Sequence, residues 1–190
     1  MKKVCVCLLL LAFFATCFTG VDTTAYATET TDIGIWYATW YSKLLEINST
    51  WITNFGGASL NQFVGDVNGD GKDDAVTFNS GGVWNVAISN GNGFNTPTQW
   101  VSGLGTGSTK QFLADVNGDG KMDAVAFTSG TGTWSVALSN GSSFGTPTQW
   151  ASGLGTGTNN QFLADANGDG KDDAVMYVAS TGTWYVALSN

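Results

Sequence analysis

Apolar and polar residues alternate along much of the chain with a period of two. In Trp84-Asn85-Val86-Ala87-Ile88-Ser89 the large apolar side chains fall at every second position, and Val76 and Phe78 flank Thr77 in the same way. Such alternation predicts half-buried strands, because successive side chains leave opposite faces of an extended backbone. Asn-Gly and Ser-Gly pairs separate these runs and mark turns. Beyond the first residues, no stretch carries a helical period.

The pattern also repeats. QFVGDVNGDGKDDAV begins at Gln62, QFLADVNGDGKMDAV at Gln111 and QFLADANGDGKDDAV at Gln161, a spacing of 49 and then 50 residues. Each copy runs on through an apolar strand into a Trp strand: WNVAISN from Trp84, WSVALSN from Trp134 and WYVALSN from Trp184. Two copies continue to a second Trp, Trp100 or Trp150, and a Gly-rich turn. Trp51 keeps that register, 15 residues before Asp66, as Trp100 stands before Asp115 and Trp150 before Asp165. The expected organisation is a leader over 1–27, a half-repeat over 28–61, repeats over 62–110 and 111–160, and a truncated third repeat over 161–190. Four strands in a unit of about 50 residues predict an all-β fold of β-propeller-type blades, each of four antiparallel strands and about three in number. So few blades do not close a ring, and unclosed blades leave edge strands open to pairing. Three outcomes stand open: a homo-oligomer that completes the propeller, an open arc with blunted ends, or a fragment of a longer product.

Residues 1–27 read as a secretory signal peptide. Lys2 and Lys3 supply a positive start, Val4 to Phe18 is almost wholly apolar, and Ala25-Tyr26-Ala27 fits a small-x-small cleavage site. The apolar run, about 15 residues, is short of the roughly 20 that a spanning helix needs. The chain is therefore expected to be secreted, with no membrane span after cleavage. Cys5, Cys7 and Cys17 all lie in this leader. The remaining chain has no disulfide to stiffen it, which is unusual for a secreted protein and turns attention to metals.

Charge sharpens the point. Seven Lys, no Arg and no His face 15 acidic residues, for a net charge of -8. The missing His removes Ser-His-Asp and Cys-His catalysis and the commonest zinc ligand. The acidic balance argues against nucleic acid as a partner. Eleven of the 15 acids sit in the three repeated loops. Counting from the first Asp, oxygen side chains fall at positions 1, 3, 5 and 9: Asp66, Asn68, Asp70 and Asp74; Asp115, Asn117, Asp119 and Asp123; Asp165, Asn167, Asp169 and Asp173. Carboxylates so crowded repel one another unless a cation neutralises them. Ca2+ suits the set, as a hard cation that takes 6–8 oxygens in flexible geometry. Position 7 is Lys72, Lys121 or Lys171, expected to offer a backbone carbonyl while its ammonium points to solvent. Gly71, Gly120 and Gly170 at position 6 allow a sharp turn. Position 12 holds Thr77, Ala126 or Met176 rather than the carboxylate of a helix-loop-helix calcium site, so each loop is expected to bridge a β-hairpin and about three Ca2+ sites are expected.

These D-x-N-x-D-G-x-x-D loops, each with a Phe three residues upstream (Phe63, Phe112, Phe162), resemble FG-GAP/VCBS repeats. The resemblance covers about residues 33–190. It implies a β-propeller, as in the integrin α-subunit head and some sugar-binding lectins, with Ca2+ held on hairpin loops. It points to a ligand only weakly, since one blade type serves many partners.

Eight tryptophans remain after the leader. Trp84, Trp134 and Trp184 are expected to pack between blades. Trp100 and Trp150, each preceded by a glutamine, Gln99 or Gln149, are the candidates for stacking on a sugar. Trp40, Tyr37 and Tyr41 have no later copies, so the half-repeat is expected to carry its own contact surface or cap an edge. Glu29 and Glu46 are the sole glutamates. No carboxylate pair of the kind glycosidases use stands apart from the loops, so no enzyme activity is expected. The reading is a secreted, calcium-binding, non-catalytic module for extracellular carbohydrate. Its alternatives are a structural or adhesion repeat that contacts protein surfaces or itself, and an accessory fragment of a secreted glycoside hydrolase.

Overall fold

In the computed structural model, the described residues, 50–59, 61–156 and 160–190, belong to the unit Ser49–Asn190 and form strands and turns without a helix. The leader, Tyr37, Trp40 and Tyr41 lie outside the described residues. Among the described residues no helix is long and apolar enough to cross a membrane.

Eleven strands build three antiparallel sheets. The first holds β1 (Asn61–Gly65), β2 (Asp74–Phe78), β3 (Trp84–Ala87) and β4 (Thr98–Val101), each strand bonded to the next in chain order. The second repeats this with β5 (Lys110–Ala114), β6 (Asp123–Thr128), β7 (Thr133–Ala137) and β8 (Thr148–Ala151). The third has β9 (Asn160–Ala164), β10 (Asp173–Val178) and β11 (Thr183–Ala187). The first two sheets carry the four strands expected of a unit, and the third, expected to be truncated, has three among the described residues. The register is the same throughout. Phe63, Phe112 and Phe162 stand opposite Val76, Val125 and Val175, and Trp84, Trp134 and Trp184 opposite Phe78, Phe127 and Tyr177.

The sheets meet face to face through unlike surfaces. In β6 the period of two puts Val125 and Phe127 on one side and Ala124 and Ala126 on the other. The alanine side, with Ala137 and Phe144, packs against Val76, Phe78, Trp84 and Val86 of the first sheet. The aromatic side, with Trp134 and Val136, packs against Ala174 and Met176 of the third. Small side chains on one surface leave room for indole rings on the next. The Trp84 and Trp134 ring N–H groups, buried by this contact, donate to the carbonyls of Leu104 and Leu154, each at 3.2 Å. A buried indole needs such a partner, and the bond ties the Gly-rich turn after β4 or β8 to the Trp strand. Asn61 adds a polar link between sheets by donating to the Gln111 side-chain oxygen.

Trp184 departs from expectation. It is 60% exposed: Phe162 and Tyr177 of its own sheet touch it, but no further sheet among the described residues covers that side.

Candidate metal loops

The acidic loops join the first two strands of each sheet. Their side-chain oxygens close first on the loop itself. Oδ1 of Asp66 accepts the N–H of Gly69 at 2.7 Å and Oδ2 that of Gly71 at 2.7 Å. Asp115 does the same with Gly118 and Gly120, and Asp165 with Gly168 and Gly170. Asn68, Asn117 and Asn167 accept the N–H two residues on, at 2.8, 2.9 and 2.9 Å. Turning successive N–H groups onto one carboxylate requires left-handed backbone at positions 4 and 6, seen at Gly69 (φ 79°) and Gly71 (φ 80°). The position-6 glycine was anticipated; position 4 plays an equal part.

Position 7 departs from the sequence reading in the first two loops. The ammonium groups of Lys72 and Lys121 fold back onto Asp70 and Asp119, each at 2.9 Å, instead of pointing away into solvent. Crowded carboxylates attract the nearest cation, and here that is the lysine two residues on. The Lys72 contact draws the Asp70 carboxyl below the usual range. Burial pushes Asp119 upward, but the Lys121 contacts outweigh it and the net shift is down. Asp165 is lowered chiefly by the Gly170 N–H.

Position 9 differs in kind. Asp74, Asp123 and Asp173 are buried. Each accepts two backbone N–H groups, one from the loop (Val67, Val116, Ala166) and one from the end of the Trp strand (Ser89, Ser139, Ser189, at 2.8, 2.7 and 2.8 Å). The carboxylate thus pins its loop to a third strand of the sheet. Sequence reasoning missed these serines; the signal was the Ser-Asn pair that ends every Trp strand. Burial pushes Asp74 above the ordinary carboxylate range; the Ser89 and Val67 N–H groups oppose this and the charges of Asp66 and Asp70 add to it. The same balance lifts Asp123 to about 6.

Neighbouring loops touch. The Met122 N–H donates to the Asp66 carbonyl at 2.8 Å, and the Asp172 N–H to the Asp115 carbonyl at 2.7 Å. The Asp172 carboxylate also accepts the Asp115 N–H at 3.0 Å. Burial raises Asp172, with the Asp115 N–H opposing and the Asp115 charge adding. The loops therefore line one edge of the array. Every side-chain donor at positions 1, 3, 5 and 9 is an oxygen of Asp or Asn, the chemistry a hard divalent cation takes. A carboxylate that accepts two N–H bonds retains acceptor capacity. By donor type the residues fit Ca2+. Among the described residues, no three carboxylates converge on a common point as a ready cluster; lysines draw position 5 aside in the first two loops, and N–H groups hold position 9 in all three.

The sugar-stacking expectation is corrected at Trp100. Trp100 is 7% exposed, lies in the core and meets Phe144 edge-on with ring centroids 5.1 Å apart. Trp150 is half-buried and meets Trp134 edge-on at 6.4 Å. Gln99 and Gln149 are exposed. The pairing skips Trp100 in β4 and Trp150 in β8, a bulge at each ring that interrupts the alternation of faces along the strand.

Near-identical antiparallel sheets stacked through one recurring interface, each with an acidic hairpin loop, define a β repeat protein. The chain belongs to the FG-GAP-like repeat family, which matches residues 66–126 and again 115–176. Among solved structures it is similar to the Photorhabdus luminescens Tc holotoxin pore carrying the mutation TccC3-D651A, at 22% identity over 70% of this chain with a TM-score of 0.53. It is also similar to the V. cholerae biofilm matrix protein Bap1, at 20% identity over 65% of this chain with a TM-score of 0.33. The chain spans 7% of the first protein's length and 19% of the second's. The first likeness concerns the fold alone, and the second carries no argument. No curated protein matches the sequence.

Proposed function

We propose that this chain is an exported, calcium-stabilised repeat protein whose sheets are blades of a propeller type, and that it works as a structural or adhesion module that binds protein surfaces rather than as a catalyst. FG-GAP repeats are generally non-catalytic. The observation that carries the reading is the run of three touching loops with one oxygen donor set and one fold. Asp66, Asn68, Asp70 and Asp74 would hold the first ion, with the Lys72 backbone. Asp115, Asn117, Asp119 and Asp123 with Lys121, and Asp165, Asn167, Asp169 and Asp173 with Lys171, would hold the next two. Bound calcium would neutralise the loop carboxylates. The sheets themselves supply the binding surface, and the loops keep adjacent sheets in register. The proposed partner is protein rather than sugar because Trp100 is buried in the core and Trp150 is half-buried against Trp134, so neither pair offers a freely exposed ring for a sugar to stack on.

Thermal unfolding followed by circular dichroism, with calcium and then with chelator, tests the proposal. At free calcium ten times the dissociation constant, each site adds about 1.4 kcal/mol, so the melting temperature rises with calcium. Identical melts in calcium and in chelator would overturn it.

A further inference from the structure

The side of the third sheet that carries Phe162, Trp184 and Val186 is exposed. Its counterparts are Phe63, Trp84 and Val86 in the first sheet and Phe112, Trp134 and Val136 in the second. Those are covered by the alanine side of the following sheet together with a fourth strand and its turn. Among the described residues the third sheet has neither, and no strand pairs with the outer edge of β11.

The described residues before β1 supply the matching piece. Thr50, Trp51 and Ile52 align with Gln99, Trp100 and Val101 at a spacing of 49 residues. They also sit alike. Trp51 meets Phe94 edge-on with centroids 5.2 Å apart, as Trp100 meets Phe144 at 5.1 Å. Asn54 and Gly56 are left-handed, as are Gly103 and Gly105. Gly56 lies against Thr77 as Gly105 lies against Ala126. Residues 50–56 therefore rest on the first sheet as the fourth strand and turn of a preceding sheet would. The second sheet separates them from β11 of their own chain. Beside them the first sheet exposes Val64, at 69%, and Asp73. Val64 matches Leu113, which packs into the interface between the first two sheets. Asp73 matches Asp172, which accepts an N–H from the preceding sheet.

We propose that the chain associates head to tail with a second copy of itself. The Trp184 side and β11 edge of one copy receive residues 50–56 and the Val64 surface of the next. Strand addition supplies backbone hydrogen bonds and Trp184 supplies the buried anchor. The two surfaces are different, so the contact is heterologous and grows into a ring or an open chain of copies. The proposal continues the interface between consecutive sheets and does not depend on calcium.

Sedimentation velocity over a wide concentration range, in chelator and in calcium, tests it with three proteins: wild type, Trp184→Glu and Val64→Glu. Both substitutions fall at exposed positions, and circular dichroism checks that each variant folds. Wild type should form species larger than one copy. Each variant alone should weaken association about thirtyfold or more, the size expected of an interface hot spot. Mixed one to one, the variants should recover a complex that stops at two copies, because each retains the surface the other lacks. A wild type that stays monomeric at every concentration, a Val64→Glu protein that associates normally, or a mixture that recovers nothing would each overturn the proposal.

Discussion

Strands β7 and β11 read TWSVA and TWYVA. Both pair with a strand that begins Asp-Ala-Val, in the same register. Yet Trp134 is wholly buried and Trp184 is largely exposed. The difference comes from outside the sheet. Trp134 is covered by Ala174 and Met176 of the next sheet, and its ring N–H reaches the turn after β8. A single sheet here does not bury its own aromatic side; the following unit completes it. Stability should therefore reside in the seams between sheets, as expected where each repeat contacts only its neighbours.

Truncation of the two rings gives the largest expected contrast. Trp134→Ala should cost about 3–5 kcal/mol, as for a buried aromatic, whereas Trp184→Ala on the monomer should stay near the roughly 0.5 kcal/mol typical of surface changes. Urea unfolding of the two variants, at a concentration where only one copy sediments, measures both. Equal losses would break the comparison.

Two glycines offer a smaller test. Gly132 and Gly182 occupy the same turn with φ of 62° and 65°. A side chain costs about 1–2 kcal/mol in that conformation at either position. At Gly132 an added Cβ would also lie 2.8 Å from the Leu154 nitrogen, while at Gly182 it meets nothing within 4 Å. Gly132→Ala should thus lower the urea midpoint further than Gly182→Ala, by the amount of that backbone clash.

The smallest effect is on pH, in metal-free buffer. Burial in the second sheet lifts Asp123 from an ordinary 3.8 to about 6. The folded protein holds this proton more tightly than the unfolded chain does. Stability from this group is therefore present below about pH 3.8 and is lost as the pH rises to about 6. Asp123→Asn should flatten that fall, a change on the order of 1 kcal/mol. Unfolding curves at intervals between those pH values, on wild type and variant, read it directly.

Much of this architecture was legible in the residues. The alternation in Val76-Thr77-Phe78 and Ala124-Val125-Ala126-Phe127 separates the two sides of each sheet, and the 49- and 50-residue spacing counts the units. The burial of Trp100 was harder to see: a bulge in β4 interrupts the alternation there, and the ring that covers it, Phe144, comes from the following repeat. Other features lay beyond a linear reading. Trp184 has the sequence of a core residue, and its exposure depends on a surface that another unit must bring. Ser89 reaches Asp74 across 15 residues through a backbone N–H, a donor every residue but proline possesses, so its identity says little. The Lys72–Asp70 pairing was hidden for another reason: a flexible ammonium can turn outward or back, and local charge decides.

The recurring seam has a consequence for heredity. A crossover between misaligned coding copies, joining the loop at Asp115 to the one at Asp165, would add or delete one whole sheet. Each Trp strand followed by another sheet would still meet that sheet's alanine-bearing side. Copy number can therefore drift in steps of one unit, and arrays of other lengths can descend from this one without a new contact having to evolve.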